Sequence, residues 1–492
     1  MIKYRTATAV ALALALLPAA TSARQAHPVA RTAKSAIVPR VAGLAEFVDG
    51  VVAQQIATRE VAGAVVTVVY QGHVLFSRGY GQADVARGVP VDAQRTLFHP
   101  GSVSKLFTWT ALMQQVEAGK VNLDADVNDY IDFRIPPLDG KPVRVRDLLS
   151  HSPGFSDVGG LIYESFDKTQ PYQQWLKTRI PARMWPAGTE IAYSNYGAAL
   201  AGYIVERVSG EPFPDYVDHH IFGPLGMHSS TFREPLTGTM AANMATGYRA
   251  VDGRLVAKPG EYLSSVMPAG SVSATGPDMG RFMLAMLNNG SLDGHVILRP
   301  ATVKLLESDS FGNAPDLQPM AHGYLVYRQA HPRLVGHAGN TVDFHSDLII
   351  SPETGFGFFV STSGGPGSYL ARTELSQAIV GRVFPQTPAP RWTGAPGVTE
   401  AGHYRANRRD YSRPADPKHD MVVTATGTNS ITTEIEGVKT AWDQIGPHLY
   451  EQVTGARAGG PYNRLEFYGT AQDPRLSLGS EPYETYHYVK PE

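Results

Sequence analysis

Cysteine is absent from the 492 residues, so disulfides, thiolate nucleophiles and thiolate-bound metals are all excluded. Excess charge is missing as well: 43 Lys and Arg against 45 Asp and Glu leave a formal net charge of −2, with no basic cluster after the first segment. That balance lacks the electrostatic footprint of a nucleic-acid binder, and no nucleic-acid partner is expected. Long apolar runs are lacking too. The run from Val10 to Leu17 falls well short of the roughly 20 residues that span a bilayer. It follows Lys3 and Arg5, is broken by Pro18, and leads to the small residues Thr21-Ser22-Ala23, so residues 1–23 read as a secretory signal peptide. Export to the periplasm or the medium is expected, with no transmembrane segment after signal removal.

A chain of this length buries enough apolar surface to hold together without cross-links, and two domains fit it better than one. Residues 24–40 are polar and aperiodic, a flexible lead-in to a domain over 41–385. Leu44, Val48, Val51, Val52 and Ile56 recur at helical spacing up to Thr58. Val61 to Tyr70, the turn Gln71-Gly72 and His73 to Tyr80 then predict a β-hairpin. Late strands are expected over 323–327, 333–338, 344–351 and 355–362, and a helix over 368–383. Pro385, Pro388, Pro390 and Pro396 mark a linker over 386–400. Residues 401–492 carry short β-rich runs at 421–426, 431–435, 464–468 and 486–489, which predict a small barrel or partial sandwich with no catalytic motif.

The chemistry concentrates at Phe98-His99-Pro100-Gly101-Ser102-Val103-Ser104-Lys105, followed by Leu106, Trp109, Leu112, Met113 and Val116 at helical spacing. If Ser102 opens that helix, Lys105 three residues on shares its face. A serine hydroxyl needs a neighbouring base, and a desolvated lysine has its pKa lowered toward that task. Downstream come Tyr193-Ser194-Asn195, just before a helix stopped by Gly210, and His337-Ala338-Gly339-Asn340, expected to open a strand. His219 and His220 are adjacent and expected to point apart, the wrong spacing for chelation, so neither metal nor cofactor is expected.

These three motifs, in this order, resemble the Ser-x-x-Lys, Tyr-x-Asn and Lys/His-x-Gly set of the class C β-lactamase, DD-peptidase and D-aminopeptidase-esterase superfamily of serine hydrolases. The likeness extends to Val145-Arg146-Asp147-Leu148-Leu149-Ser150-His151-Ser152-Pro153-Gly154, to Pro224-Leu225-Gly226-Met227 with Thr231, and to Pro268 through Met279. The resemblance implies an α+β fold, an α/β sandwich in which an antiparallel sheet is flanked by helices and interrupted by a helical region. It likens the tail to a lipocalin-like accessory domain. It makes Ser102 the nucleophile, Lys105 its base and Tyr193 a partner in proton transfer. Asn195, His337, Gly339 and Asn340 would bind substrate, the backbone N–H groups of Ser102 and Asn340 would hold the oxyanion, and His151 would support a turn. The implied substrate is a small peptide, amide or ester. His337 stands where β-lactamases carry lysine, which favours a D-amino-acid or peptidoglycan-type peptidase or an esterase. A true β-lactamase and a penicillin-binding sensor that acylates without turnover stay open.

Overall fold

The structure is a computed structural model that describes residues 37–328, 331–394, 401–454 and 463–490. The expected signal peptide, most of the expected lead-in and part of the expected linker lie outside these residues. Among the described residues, seven strands form one antiparallel sheet: β1 (Gly63–Tyr70), β2 (His73–Asp84), β3 (Val89–Pro90), β4 (Leu325–Arg328), β5 (Leu334–Asn340), β6 (Phe344–Ser351) and β7 (Phe356–Ser363). Their spatial order is β4-β5-β6-β7-β1-β2-β3, so the first hairpin closes onto the last strand, with Gly63 opposite Ser363. The region between β3 and β4 carries most of the chain's helices and is inserted into the sheet, as the resemblance implied.

Strand alternation assigns the two faces. Ala64, Val66 and Val68 of β1 join the core under α1 (Leu44–Ala57), and Val65 and Val69 point to the larger core. That larger core is built by α2 (Lys105–Glu117), α3 (Asn195–Ser209) and α4 (Gly276–Leu287), while α5 (Pro366–Val383) covers the α1 face. α3 begins where Ser194 caps it, its hydroxyl accepting from the Gly197 N–H at 3.0 Å. It ends at Gly210 in the left-handed conformation. α4 lies directly on β1 because Gly276 faces the strand: a Cβ there would stand 2.6 Å from Thr67 Oγ1 and from Val65 Cγ2.

The tail is a closed barrel of eight strands, β8 (Gly402–Ala406), β9 (Met421–Gly427), β10 (Ser430–Ile435), β11 (Val438–Gln444), β12 (Leu449–Thr454), β13 (Arg464–Thr470), β14 (Asp473–Leu478) and β15 (Tyr486–Val489). β15 pairs back onto β8, which removes free edges. Tyr404, Met421, Trp442, Tyr450 and Leu476 fill its interior. Four of these strands match the expected runs. The other four carry polar residues such as Lys439, Asp443, Glu451 and Arg475, which dilute the apolar signal.

Two local expectations need correction. His337-Ala338-Gly339-Asn340 closes β5 instead of opening a strand. His219 and His220 do not diverge: they lie in a π-helical turn, Asp218–Phe222, and both reach the Glu211 carboxylate, at 3.0 and 2.8 Å. The wider turn changes the angular step that an α-helix would impose between neighbours.

The barrel is fastened to the sandwich through buried Glu190. Its carboxylate accepts from Asn407 Nδ2 at 2.7 Å and His487 Nε2 at 2.9 Å, and it pairs with Arg475 at 3.2 Å. Burial opposes charge on His487, but Glu190 and then Asp473 outweigh it and raise its pKa. A raised folded pKa stabilises fully below the unfolded value near 6.5, and the contribution fades as pH climbs through the folded value. The wild-type Tm is therefore expected to fall relative to His487→Gln as pH rises above about 6.5. Parallel Tm curves for the two proteins would contradict this.

Candidate active site

Ser102 sits in a 3-10 turn, Gly101–Ser104, that runs straight into α2. The i to i+3 spacing brings Lys105 Nζ to 2.9 Å from Ser102 Oγ. Two further oxygens complete its surroundings, Asn195 Oδ1 at 2.8 Å and the Ala269 carbonyl at 2.7 Å. Lys105 is 0% exposed. Burial holds its pKa well below the ordinary lysine value, the nearby Arg408 charge adds to the lowering, and Asp157 opposes it. A neutral amine has two N–H groups and one lone pair. With the two carbonyl-type oxygens taking the N–H groups, the lone pair is left for the Ser102 hydroxyl.

Ser104 belongs to the scaffold. Its hydroxyl donates to the Gly101 carbonyl at 2.6 Å and accepts from the Val272 N–H at 3.1 Å.

Tyr193 stands over this group. Lys105 Nζ is 4.9 Å from its ring centroid, and the His151 ring packs 4.2 Å away. The hydroxyl is buried and has no hydrogen-bond partner among the described residues, although Ser102 lies near enough to pull its pKa down. Burial is the larger effect and raises it, so the phenol is held neutral. His151 occupies a left-handed backbone position, accepts from the Ser194 N–H through Nδ1 at 3.3 Å, and holds the Tyr193 ring. It is a support for the tyrosine, in keeping with the turn role expected of it.

His337 is 1% exposed. Its Nδ1 lies 2.5 Å from the Ala338 carbonyl, which fixes the proton there and leaves Nε2 bare and without a partner among the described residues. Burial, with the Lys105 charge second, lowers its pKa to about 3. The ring is neutral over the whole range in which most enzymes work.

The turn and the strand meet backbone to backbone. A Cβ on Gly339 would lie 1.8 Å from the Pro100 oxygen and 3.0 Å from the Ser102 nitrogen, and one on Gly101 would lie 2.9 Å from the Asn340 nitrogen. The amide groups of Ser102 and Asn340, the expected oxyanion donors, are thereby gathered at one contact. Behind it, the Asn340 side-chain oxygen accepts from Arg372 at 3.2 Å and pairs with His345 at 2.9 Å. β4 covers β5 only over Leu334–Gly336, leaving the His337–Asn340 edge without a ladder partner on that side.

All seven sequence-predicted residues thus fall within one region: Ser102, Lys105, Tyr193 and Asn195 around the amine, and His337, Gly339 and Asn340 along the end of β5. Sequence reasoning missed the barrel's share. Arg408 lies 4.6 Å from the Tyr193 ring centroid, and the Tyr193 N–H donates to the Tyr483 carbonyl at 3.1 Å. The tail, expected to be accessory, therefore touches the site. No motif marks Arg408 or Tyr483 in the sequence. A cavity of about 370 Å³ lies between the barrel mouth, with Trp442 and Leu478, and the face of β5 that carries Ala338 and Asn340. Neither Ser102 nor Lys105 lines it.

Gly339→Ala is expected to force β5 off the Ser102 turn. Stability should drop by about 1–3 kcal/mol, and turnover should fall by at least about tenfold through the displaced Asn340 amide. Chemical denaturation and kcat on the purified variant check both.

The sequence profile of the β-lactamase family matches residues 48–381. Protein flp of Staphylococcus aureus (strain MW2) is 25% identical over 321 residues, 64% of this chain and 62% of that protein, so the chain spans less than two thirds of its length. Penicillin-binding protein 4 of Amycolatopsis lactamdurans is 27% identical over 343 residues, 67% of this chain and 89% of that protein. The octameric penicillin-binding protein homologue from Pyrococcus abyssi superposes with a TM-score of 0.61 over 90% of this chain and 99% of its own, at 20% identity, a likeness of fold. With the profile covering most of its length and the three motifs meeting in space, the chain belongs to the β-lactamase family of serine hydrolases.

Proposed function

We propose that this chain cleaves a small ester, amide or peptide through an acyl-enzyme on Ser102. The observation that carries the reading is the set of three oxygens around the buried Lys105 amine. The lone pair takes the Ser102 proton as Oγ attacks the substrate carbonyl. The negative charge that develops on the carbonyl oxygen is met by the Ser102 and Asn340 amides. The neutral Tyr193 hydroxyl hands a proton to the departing amine or alcohol and is re-supplied from Lys105. Water then repeats the sequence on the acyl-enzyme in the reverse sense, regenerating Ser102. Asn195 serves Lys105 through Oδ1 and has its amide nitrogen for the acyl side of the substrate.

His337 narrows the substrate. A neutral ring whose bare nitrogen accepts hydrogen bonds offers no cation to a substrate carboxylate, unlike the lysine of β-lactamases. A charge-assisted hydrogen bond is worth roughly 1.5–3 kcal/mol, or about 10- to 150-fold in affinity. Uncharged esters, amides and D-aminoacyl peptides are favoured over penicillins. Export belongs to the same reading and rests on Lys3, Arg5, the Val10–Leu17 run and Thr21-Ser22-Ala23.

A panel of neutral esters, D- and L-aminoacyl amides and β-lactams tests this. Ser102→Ala should lower turnover by about 10⁴-fold or more and abolish any acyl adduct seen by mass spectrometry. Ser104→Ala should still acylate while losing about 1–3 kcal/mol of stability. The opposite pattern would sink the assignment, and an acyl adduct that never turns over would make the protein a sensor.

The pH dependence of penicillin turnover checks His337 separately. Since its folded pKa lies near 3, lowering pH from about 8 to 5 should give no gain from protonating it. A rise with a midpoint near 6 would show a histidine that charges, contrary to the burial seen here.

A further inference from the structure

Arg408 is a charge beside the reacting groups that has no role assigned so far. It follows β8, outside the sandwich, yet its guanidinium lies 4.6 Å from the centroid of the Tyr193 ring, which also has Lys105 Nζ at 4.9 Å. Two carboxylates hold it, Asp157 at 3.4 Å from the loop before α3 and Glu484 at 3.3 Å from the segment before β15. Its side chain is 30% exposed. Two further bonds clamp the same spot: the Asp157 N–H donates to the Arg409 carbonyl at 3.0 Å, and the Asn407 side-chain Nδ2 donates to the Ile191 carbonyl at 2.8 Å.

We propose that Arg408 is a positioning residue for the reaction, delivered by the barrel: it fixes the Tyr193 ring and supplies the positive field that keeps the Lys105 amine free to accept the Ser102 proton. The proposal rests on the reading of Ser102, Lys105 and Tyr193 given above. A cation over an aromatic face is attracted to the negative face of the ring. A second cation near an amine disfavours protonating that amine.

The groups around Lys105 bear this out from every side. From β5 comes His337, neutral; from the loop between α2 and α3 comes His151, also held neutral chiefly by burial, with the Arg408 charge adding to the lowering. Tyr193 and Asn195 approach from the start of α3, and Ala269 offers only a carbonyl. The ionic influences that reach Lys105 are Arg408, which lowers its pKa, and Asp157, which raises it. Burial works against charge on Arg408, while Asp157, Glu484, Tyr193 and Tyr483 carry its pKa up. Glu481 and Glu484 are both raised by burial, so the pair is less acidic than surface glutamates.

The test is the pH profile of kcat/KM on a neutral p-nitrophenyl ester, which carries no charge for Arg408 to bind. In Arg408→Met the acid limb should move up by about one pH unit, a tenfold loss on that limb, with a smaller change on the plateau. Asp157→Asn should move the limb the other way. Arg408→Lys keeps the charge and should restore the limb, while its plateau stays below wild type because the planar stacking is gone. A limb that stays put in Arg408→Met overturns the proposal. Should Arg408→Met fail to fold, an unmoved limb in Asp157→Asn overturns it instead. Turnover surviving in Ser102→Ala would mark failure of the functional reading itself, a result separable from both.

Discussion

The desolvated amine of Lys105 is the constraint around which the rest is arranged. A protonated lysine withdrawn from water costs several kcal/mol unless it is paired with an anion, and none of the three oxygens at Nζ is a carboxylate. The folded chain therefore favours the amine without its proton. Four separate segments must arrive together to create that condition: the 3-10 turn into α2, the start of α3, the turn at Ala269 and the end of β5 with His337. Moving any of them would admit water and return the lysine to its ordinary basicity.

Backbone contact at the Ser102 turn imposes a second demand. Gly101 and Gly339 face each other so closely that neither tolerates a Cβ, and Gly101 also needs a positive φ of 55°. The result is that the amide of the nucleophile and the amide at the end of β5 share one small region without any side chain between them. Rigid amides aimed in advance lose little by reorganising when charge develops, and the Asn340 side chain, tied to Arg372 and His345, keeps the strand end from fraying.

Much of this was legible in the sequence because it is local. Ser-x-x-Lys reads as one helix face, Ser194 and Gly210 bracket a helix, and the β-branched runs name the strands of the sheet. The family resemblance then ordered pieces that spacing alone could not join. What escaped the sequence depends on long-range docking. Asn407 meets Glu190 and Tyr483 meets Tyr193 across stretches of chain in which no pattern announces a partner. Half the barrel strands were missed because their outward residues are charged. The His219-His220 pair was misread because a π-turn, not an α-turn, sets its geometry. The strand position of His337 was misplaced by a few residues, since β5 gains its last pairings, Gly339 with Ser346 and Asn340 with His345, from the neighbouring strand and not from its own composition.

The two histidines and the arginine together explain how charge is distributed in the site. His337 and His151 are both neutral for the same reason, burial beside a lysine, so neither β5 nor the turn after α2 brings a permanent cation to the nucleophile. The cation stacked on Tyr193 from the barrel is Arg408, and it is held where it is by carboxylates from both sides of the interface. A guanidinium withdrawn from part of its water is held more cheaply with those partners in place than without them. Sandwich and barrel consequently share one electrostatic unit: the Arg408 part of the field felt by Lys105 exists only while the barrel is docked, and Asp157, which acts on Lys105 in the opposite sense, lacks its counter-ion if it is not.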